Sequence, residues 1–244
     1  MKTFSKKNFI DDHNANQIDY YNNTFKKSMR PAESKYIASQ IEQFVTFGNI
    51  KIQESILEIG CGMGKYTFNL LKKNYKITAL DLSPYLISQF ERYNNNRYPI
   101  KLYTCDILDS YNIITEKFDD IIGFMVLHHI HNLPLSFQAM RKLLKPGGRL
   151  IFLEPNAWNP LYYLQIAFTP GMRWKSEKQV TKMREKIIKA ASALAGFNNI
   201  EIKKFGFFPP FIKNTKWGDR VEKLISKIKF LDPIRPFQII VISD

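Results

Sequence analysis

The chain has 244 residues, of which 45% are hydrophobic and two are cysteine, and it carries a formal net charge of +14. This composition excludes a mostly disordered chain and a disulfide scaffold, because the apolar fraction suits a packed core and two cysteines fit a reducing compartment. No stretch approaches the roughly 20 apolar residues that cross a bilayer and no apolar leader follows the N-terminus, so we expect a cytoplasmic protein.

The first 155 residues divide into a leading segment and an alternating one. Residues 1–50 are interpreted as an N-terminal helical cover segment, with its clearest helical pattern at 32–45. From 51 to 155, short apolar runs alternate with amphipathic stretches, which is typical of βαβ units and a parallel sheet with helices on both faces. The predicted strands are 55–60, 76–81, 100–105, 119–127 and 148–154, and clear helical patterns lie at 65–73 and 134–144.

The chain changes character after Glu154. Residues 156–176 form an aromatic insert that is too irregular for one helix, because proline and glycine interrupt it. The pattern beyond it predicts, in order, a charged helix at 177–195, a strand at 199–207, a helix at 217–229 and a strand at 236–243. We therefore predict an α/β fold in one main domain, residues 51–244, whose cofactor core is 51–155.

A glycine-rich turn follows the first predicted strand. The segment Leu57–Tyr66 reads LEIGCGMGKY, leaves a strand and enters a helix, which favours a bound anion near its backbone amides. An acid, Asp81, ends the second strand and is placed to accept hydrogen bonds from ribose hydroxyls. The dinucleotide fingerprint GxGxxG would need glycine where this chain has Lys65, which disfavours a dehydrogenase.

The pattern ExGxGxG, running from Glu58 to Gly64, resembles motif I of the class I S-adenosylmethionine-dependent methyltransferases. The resemblance continues through Asp81-Leu82, Cys105-Asp106-Ile107, the segment 118–130 and the approach to the fifth strand at 143–148. It implies a doubly wound, Rossmann-like, seven-stranded sheet, mostly parallel with the last strand antiparallel. It also implies S-adenosylmethionine as cofactor, S-adenosylhomocysteine as product and no metal.

The resemblance also implies a set of residues for the cofactor. By position in the motifs these are Glu58, Gly60, Cys61, Gly62, Gly64, Asp81, Leu82, Asp106, Ile107 and Phe124. Asp81 matches the ribose-binding acid, Leu82 packs on adenine, and Asp106 meets the adenine amino group. Phe124 is expected to contribute its backbone to the methionine end of the cofactor and its side chain to the wall.

Two histidines are the candidate general bases. His128 and His129 follow the fourth strand, at the edge where open α/β sheets bind ligands, and their ordinary pKa suits proton abstraction near neutrality. The alternative is that they shape the wall of the site or cap the next helix. His129 is slightly favoured for a direct role.

The acceptor should lie against the cover segments. The predicted substrate residues are Tyr20, Tyr21, Asn156, Trp158 and Tyr162, and Trp174 is a further aromatic of the same insert. The leading interpretation is transfer to an oxygen, nitrogen or carbon of a small-molecule, sugar or lipid-like acceptor. The alternatives are an RNA-modifying methyltransferase that uses the basic C-terminal surface, and a cofactor-binding protein without turnover.

The excess charge is concentrated at the C-terminal end, since residues 171–244 carry +9 of the +14. Interleaved acids in the charged helix are typical of a solvated face. Nucleic acid is therefore a less favoured partner, whereas an anionic acceptor or peripheral contact with a membrane surface would also use this charge.

Overall fold

A computed structural model describes residues 6–23, 29–168 and 178–244. Its seven-stranded sheet has the order β3-β2-β1-β4-β5-β7-β6. The strands are β1 (Ser55–Ile59), β2 (Lys76–Asp81), β3 (Lys101–Thr104), β4 (Phe118–Phe124), β5 (Leu144–Pro155), β6 (Asn199–Phe205) and β7 (Phe237–Ser243). The first five strands are parallel, and β7 runs antiparallel between β5 and β6. The predicted fold class and the reversed last strand are confirmed.

Helices cover both faces of the sheet. They are α1 (Lys6–Asn23), α2 (Lys35–Gly48), α3 (Thr67–Leu71), α4 (Pro84–Asn94), α5 (Ser110–Ile113), α6 (Leu133–Leu143), α7 (Pro160–Phe168), α8 (Glu185–Leu194), α9 (Pro210–Lys213) and α10 (Lys216–Ile225). Short 3₁₀ segments lie at Leu127–His129, Lys178–Met183 and Lys229–Ile234. Among the helices in these described ranges, none is both long and apolar enough to cross a membrane.

The side chains of each strand alternate between two cores. In β1, Leu57 packs with Phe137 of α6 on one face, and Ile56 packs with Phe44 of α2 on the other. This period of two is why the central strands read as continuous apolar runs: both of their faces are covered. The helix α2, which precedes the first strand, is thus part of the sheet's cover.

The strand before the histidines ends earlier than its apolar run. The predicted strand 119–127 stops at Phe124, because Met125 turns the chain with a φ of 54°. The backbone amides of Val126 and Leu127 then donate to the Glu154 carboxylate, at 2.9 and 2.7 Å, and leave the ladder. The turn brings the following histidines to the carboxyl edge of the sheet.

Three other elements have bounds that differ from the predicted ones. The fifth strand is longer than predicted and begins at Leu144. The charged helix predicted at 177–195 is divided into the 3₁₀ segment Lys178–Met183 and α8, and residue 177 lies outside the described residues. The helix predicted at 217–229 ends at Ile225 and is followed by the 3₁₀ segment that contains Pro233. The division into a cover segment 1–50 and a main domain 51–244 stays a prediction.

Candidate functional site

A cavity of about 1200 Å³ lies at the carboxyl ends of β1 to β4. The loops after these four strands form its floor, and residues of α1, α2, α7 and the β6–β7 connection form its other walls. Ligands bind at this edge in open α/β sheets because the strand order reverses there and a crevice opens. Of the predicted cofactor residues, all except Gly64 line the cavity: Glu58, Gly60, Cys61, Gly62, Asp81, Leu82, Asp106, Ile107 and Phe124.

The three glycines of the loop after β1 have different surroundings. Gly60 and Gly64 have φ values of 66° and 88°, and an added Cβ would meet Val126 at 2.3 Å in the first and Phe68 at 2.4 Å in the second. Gly62 has a φ of 54°, and none of the described residues has an atom within 4 Å of its missing Cβ. Gly64 is therefore explained by close packing of the loop on α3 and α4, whereas Gly62 leaves open space toward the cavity.

Asp81 ties the glycine loop to the end of β2. Its carboxylate accepts the backbone N–H of Gly62 at 2.8 Å and that of Ser83 at 2.9 Å. Burial raises the pKa of Asp81, and these amide donors lower it in part. The acid consequently lies on the cavity wall while holding Gly62 in position.

Glu58 is a buried carboxylate that faces the same cavity. It is 2% exposed, and in the part of the chain that the structure describes its Oε2 has no hydrogen-bond partner. Burial raises the pKa of Glu58 to about 8, the hydroxyl of nearby Thr67 offsets part of this rise, and the charge of Asp81 adds to it. A buried carboxylate of this kind is stabilised in its charged form by a bound cation.

The loop after β3 meets the N-terminal helix. Asp106 accepts the backbone N–H of Leu108 at 3.0 Å, and the Asn14 amide of α1 donates to its other oxygen. Phe124, at the end of β4, is buried and stacks on Tyr66 with ring centroids 4.4 Å apart. Its side chain is therefore part of the cavity wall, and the contact of its backbone with a cofactor stays a prediction.

The two histidines lie on the cavity wall in different environments. His128 is 2% exposed, and its Nδ1 lies 2.6 Å from Oε2 of the buried Glu154. The Nε2 of His129 lies 3.1 Å from the Tyr21 hydroxyl of α1, and the rings of the two histidines are 4.0 Å apart. The arrangement places His128 against a fixed carboxylate and His129 against a hydroxyl from a cover helix.

The predicted substrate residues separate into two groups. Tyr21 and Tyr162 line the cavity, whereas Tyr20, Asn156 and Trp158 are absent from its lining. Tyr20 instead packs edge-on against Tyr21, and Trp158 is 58% exposed with the Arg184 guanidinium 4.8 Å from its ring centroid. Trp174 and the end of the 156–176 insert lie outside the described residues.

Asn156 makes structural hydrogen bonds outside the cavity lining, and its predicted contact with substrate stays a prediction. Its buried amide donates to the backbone carbonyls of Pro233 and Arg235, at 2.8 and 2.7 Å, and its oxygen accepts the N–H of Trp158. The side chain therefore ties the end of β5 to the β6–β7 connection. The local sequence did not reveal this, because its partners lie almost 80 residues away.

Several cavity residues were missed at the sequence level. From the β6–β7 connection they are Phe207, Phe208, Pro209, Pro210 and Phe211, and from elsewhere they include Ile18, Tyr36, Gln40, Lys65, Leu161 and Leu164. The run FFPPF was a usable signal, since it is too irregular for a strand and too apolar for an ordinary loop. Most of this wall is apolar.

Metal ligation finds no support in the described ranges. Within residues 6–23, 29–168 and 178–244, no group of three or more His, Cys, Asp or Glu side chains could hold a metal ion. Both cysteines are free thiols, and burial raises the pKa of Cys61 well above its ordinary value. The polar end of the cavity is thus built from carboxylates, backbone amides and histidines.

Comparison with known proteins places this geometry in context. Residues 57–152 match the family described as "Methyltransferase domain". An uncharacterized methyltransferase of Mycobacterium bovis is 28% identical over 123 residues, which cover 49% of this chain and 61% of that protein. The mitochondrial ubiquinone biosynthesis O-methyltransferase of Rattus norvegicus is 29% identical over 120 residues, which cover 47% of this chain and 34% of that protein. The alignments thus span about three fifths of the first relative's length and a third of the second's.

A solved structure shares nearly the whole fold. The plantazolicin methyltransferase BamL, in complex with a triazolic desmethylPZN analog and SAH, matches with a TM-score of 0.62 and 14% identity, and the match covers 98% of this chain and 99% of that one. At this identity the likeness concerns the fold, including the cover segments outside the matched family region.

Proposed function

We propose that this chain, which belongs to the class I S-adenosylmethionine-dependent methyltransferases, transfers a methyl group from S-adenosylmethionine to an oxygen, nitrogen or carbon of a small-molecule or lipid-like acceptor. The observation that carries the proposal is the arrangement of Glu58, Gly62 and Asp81 around one cavity. A buried carboxylate whose Oε2 has no hydrogen-bond partner among the described residues, a glycine with space at its missing Cβ and a ribose-type acid lie together there.

These residues fit the cofactor group by group. The Glu58 carboxylate suits the cationic amino group of the methionine moiety, because that charge would stabilise its ionised form. Asp81 has the acceptor oxygens for the ribose hydroxyls, and Leu82 and Ile107 supply apolar surface for adenine. Asp106 is the acceptor for the adenine amino group, at the position where Asn14 now donates to it.

The cofactor supplies an electrophilic methyl group on its sulfonium, so the chain's part is to orient the acceptor and to exclude water. The aromatic wall around Tyr66 and Phe124 serves both purposes, and it also suits a positive charge through its ring faces. No metal is needed for this alignment.

Proton removal from the acceptor is assigned to His129. Its Nε2 is 3.1 Å from the Tyr21 hydroxyl, which would be displaced or would pass on the proton when an acceptor hydroxyl or amine binds. His128 is the positioning residue, because the buried Glu154 carboxylate fixes its ring against His129.

The acceptor end supports a molecule with an apolar body. Phe207, Phe208, Phe211 and Leu161 line it, and such a wall recognises hydrocarbon or aromatic surface rather than phosphate. The RNA-modifying alternative is less well supported, because phosphate contacts need basic side chains, whereas aromatic and aliphatic ones form this part of the wall.

A matched pair of glycine variants tests the cofactor site. Gly62→Ala places a methyl group in the open space, and we expect it to weaken S-adenosylmethionine binding in calorimetry by more than about tenfold, since the ligand must approach the backbone there. Gly147→Ala is the control, because Gly147 also has a positive φ and its missing Cβ has no neighbour within 4 Å in the described part of the chain. Gly147 lies in the turn within β5, at the other end of the sheet. Equal affinities in the two variants would contradict the proposed site.

A transfer assay tests the reaction itself. The protein is incubated with methyl-labelled cofactor and separate lipid, metabolite and RNA extracts, and label is expected in an apolar small-molecule fraction. In that fraction, His129→Gln should lower the rate by about 10²- to 10⁴-fold while cofactor affinity is retained. Label confined to RNA would overturn the acceptor assignment, and an unchanged rate in His129→Gln would overturn the role of the base.

A further inference from the structure

The connection between β6 and β7 exposes large apolar side chains beside basic ones. On α10 and the turn that follows it, Trp217, Leu224 and Ile228 form an apolar stripe, and Lys216, Arg220 and Lys227 form a basic stripe next to it. Within the helix, a spacing of seven residues between Trp217 and Leu224 and of four between Lys216 and Arg220 places each pair on one side, and Lys227 and Ile228 follow in the exposed turn. We call these six residues, together with the exposed Phe230 of the following 3₁₀ segment, the interfacial face.

The apolar stripe is exposed well beyond what scattered surface residues require. Trp217 is 65% exposed and Leu224 is 64% exposed, and Phe230, in the next 3₁₀ segment, is 88% exposed. The buried side of α10 is instead formed by Gly218 and Glu222. Large apolar side chains that are exposed together mark an interaction surface, because it is unfavourable to leave all of them in contact with water.

In the β6–β7 connection, the acidic side chains pair with basic ones of the same connection, and other basic side chains face the solvent. The buried Lys213 is held by Asp219 at 3.1 Å and Glu222 at 2.7 Å, and Asp219 also pairs with Lys223. The remaining acid of the connection, Asp232, is held by the buried Arg235. The acids of this segment therefore already form ion pairs with basic side chains of the same connection, and the interfacial face presents net positive charge.

We propose that the interfacial face docks the protein on an anionic lipid surface. An interfacial helix combines exposed apolar residues that enter the boundary between headgroups and acyl chains with basic residues that meet anionic headgroups. Trp217 suits the interface in particular, because its ring is apolar and carries a polar N–H. This combination of charge and apolar exposure is what the stripes provide.

Other occupants account for less of the surface. RNA phosphates would match Lys216, Arg220 and Lys227 but would leave Leu224 and Ile228 in water. A second copy of the chain would bring two basic stripes together, while the acids of the same segment are already held by Lys213 and Arg235. An anionic bilayer covers both stripes at once.

The docked orientation would direct the cavity toward the lipid. Phe208 lines the cavity and lies 6.2 Å, between ring centroids, from Trp217 of the interfacial face. Phe211, which precedes α10, is 76% exposed and also lines the cavity. If the proposed function holds, on which this step rests, an amphiphilic acceptor can pass from the bilayer to the apolar wall without crossing bulk water.

Vesicle sedimentation tests the docking directly. The full chain is mixed with phosphatidylcholine vesicles with and without phosphatidylglycerol, and binding is expected only with the anionic lipid. Raising the ionic strength from about 0.15 to about 1 M should release most of the protein, because the Debye length falls from ~8 to ~3 Å. Failure to bind anionic vesicles at about 0.15 M would overturn the proposal.

Paired variants assign the binding to the face. Lys216→Glu/Lys227→Glu should weaken vesicle partition by at least about 25-fold, since each basic residue near an anionic surface contributes about fivefold. The matched control is Lys73→Glu/Lys76→Glu, which makes the same charge change at exposed positions after α3 and at the start of β2. Trp217→Ala/Phe230→Ala should also release the protein, and its control is Ile52→Ala/Ile113→Ala, which removes exposed apolar residues elsewhere. Equal losses in test and control variants would overturn the assignment.

Three further readouts separate the outcomes. Cofactor affinity measured on the same samples distinguishes the two proposals: retained cofactor binding without vesicle binding defeats the docking alone, and the reverse defeats the cofactor site alone. A filter-binding assay in which RNA binds through Lys216 and Lys227, while vesicles do not bind, would replace the membrane by nucleic acid and overturn the proposal. Sedimentation velocity showing a dimer that Trp217→Ala/Phe230→Ala dissociates would also overturn it.

Discussion

The two ends of the cavity differ in chemistry and in origin. The proposed cofactor end is polar and is built from loops that follow four parallel strands, with Glu58, Asp81 and Asp106 as its acids. The proposed acceptor end is mostly apolar and is built from α1, α7 and the β6–β7 connection, which are far apart in the chain. Parallel strands bring their carboxyl ends to one edge by necessity, whereas the cover segments meet only after the chain has folded.

The comparison separates two kinds of residue. A polar residue at a strand end is placed by the sheet, so its neighbours follow from the strand order. A residue of the cover is placed by contacts such as those of Asn156 with Pro233 and Arg235. Changes at the cofactor end should therefore act on ligand binding and proton linkage, and changes at the acceptor end should act on the cover or on the acceptor.

The largest expected effect concerns Glu58, at the cofactor end. Burial raises its pKa from 4.5 to about 8, so the stability that it contributes is fully present below pH 4.5 and is lost as the pH rises through 8. The loss amounts to at most ~5 kcal/mol at 1.36 kcal/mol per pKa unit. Urea titrations of the cofactor-free protein should show a lower free energy of unfolding at pH 8 than at pH 5. Glu58→Gln should remove the part of this difference that is due to Glu58.

Glu42→Gln is the matched control, because Glu42 lies exposed on α2. It should follow the wild-type dependence on pH. The same dependence in Glu58→Gln would show that Glu58 is not the titrating group and would weaken its assignment to a bound cation.

The next effect concerns the ribose-type acid. Asp81→Ala removes the acceptor for the Gly62 and Ser83 amides and the predicted acceptor for ribose. We expect S-adenosylmethionine affinity in calorimetry to fall about a hundredfold, or ~3 kcal/mol, since hydrogen bonds to a charged group contribute about 1.5 to 3 kcal/mol. Asp109→Ala, at an exposed acid before α5, should leave the affinity unchanged. Unchanged affinity in Asp81→Ala would count against the site.

At the acceptor end, Asn156 should affect stability without affecting the cofactor. Asn156→Ala leaves the buried Arg235 carbonyl and the partly buried Pro233 carbonyl without their donor, and we expect the free energy of unfolding to fall by about 2 kcal/mol. Cofactor affinity should change by less than about twofold. The exposed Asn198→Ala is the control for stability. A loss of cofactor affinity in Asn156→Ala would erase the distinction between the two ends.

The smallest effect is expected at the exposed rim of the apolar wall. Leu161→Ala and Phe211→Ala should each change the free energy of unfolding by less than about 0.5 kcal/mol, because both side chains are largely exposed. Their effect should fall on the KM for the acceptor fraction. Leu194→Ala, an equally exposed leucine on α8, should leave that KM unchanged. Equal KM values in all three variants would place the acceptor elsewhere.

Prediction from sequence succeeded where local signals agreed. The alternation of apolar runs and helical patterns was sufficient for the parallel strands, whereas the seven-stranded sheet with its reversed last strand followed from the family resemblance. The ExGxGxG pattern located the loop that carries Glu58 and Gly62. It failed at the end of β4, because the apolar run continues through Met125 and Val126 although the backbone has already turned. The Glu154 carboxylate that accepts those amides belongs to another strand.

By itself, the sequence determined the order of strands and helices, the glycine loop and the acids at the strand ends, because these depend on periodicity and on residues adjacent in the chain. Tertiary structure decided which glycine faces open space, that Asn156 holds the cover together, and that Tyr21 meets His129. It also placed the FFPPF run on the cavity wall, with Trp217 beside it. These facts depend on contacts between residues up to about a hundred positions apart, and no local pattern encodes which distant segments pack together.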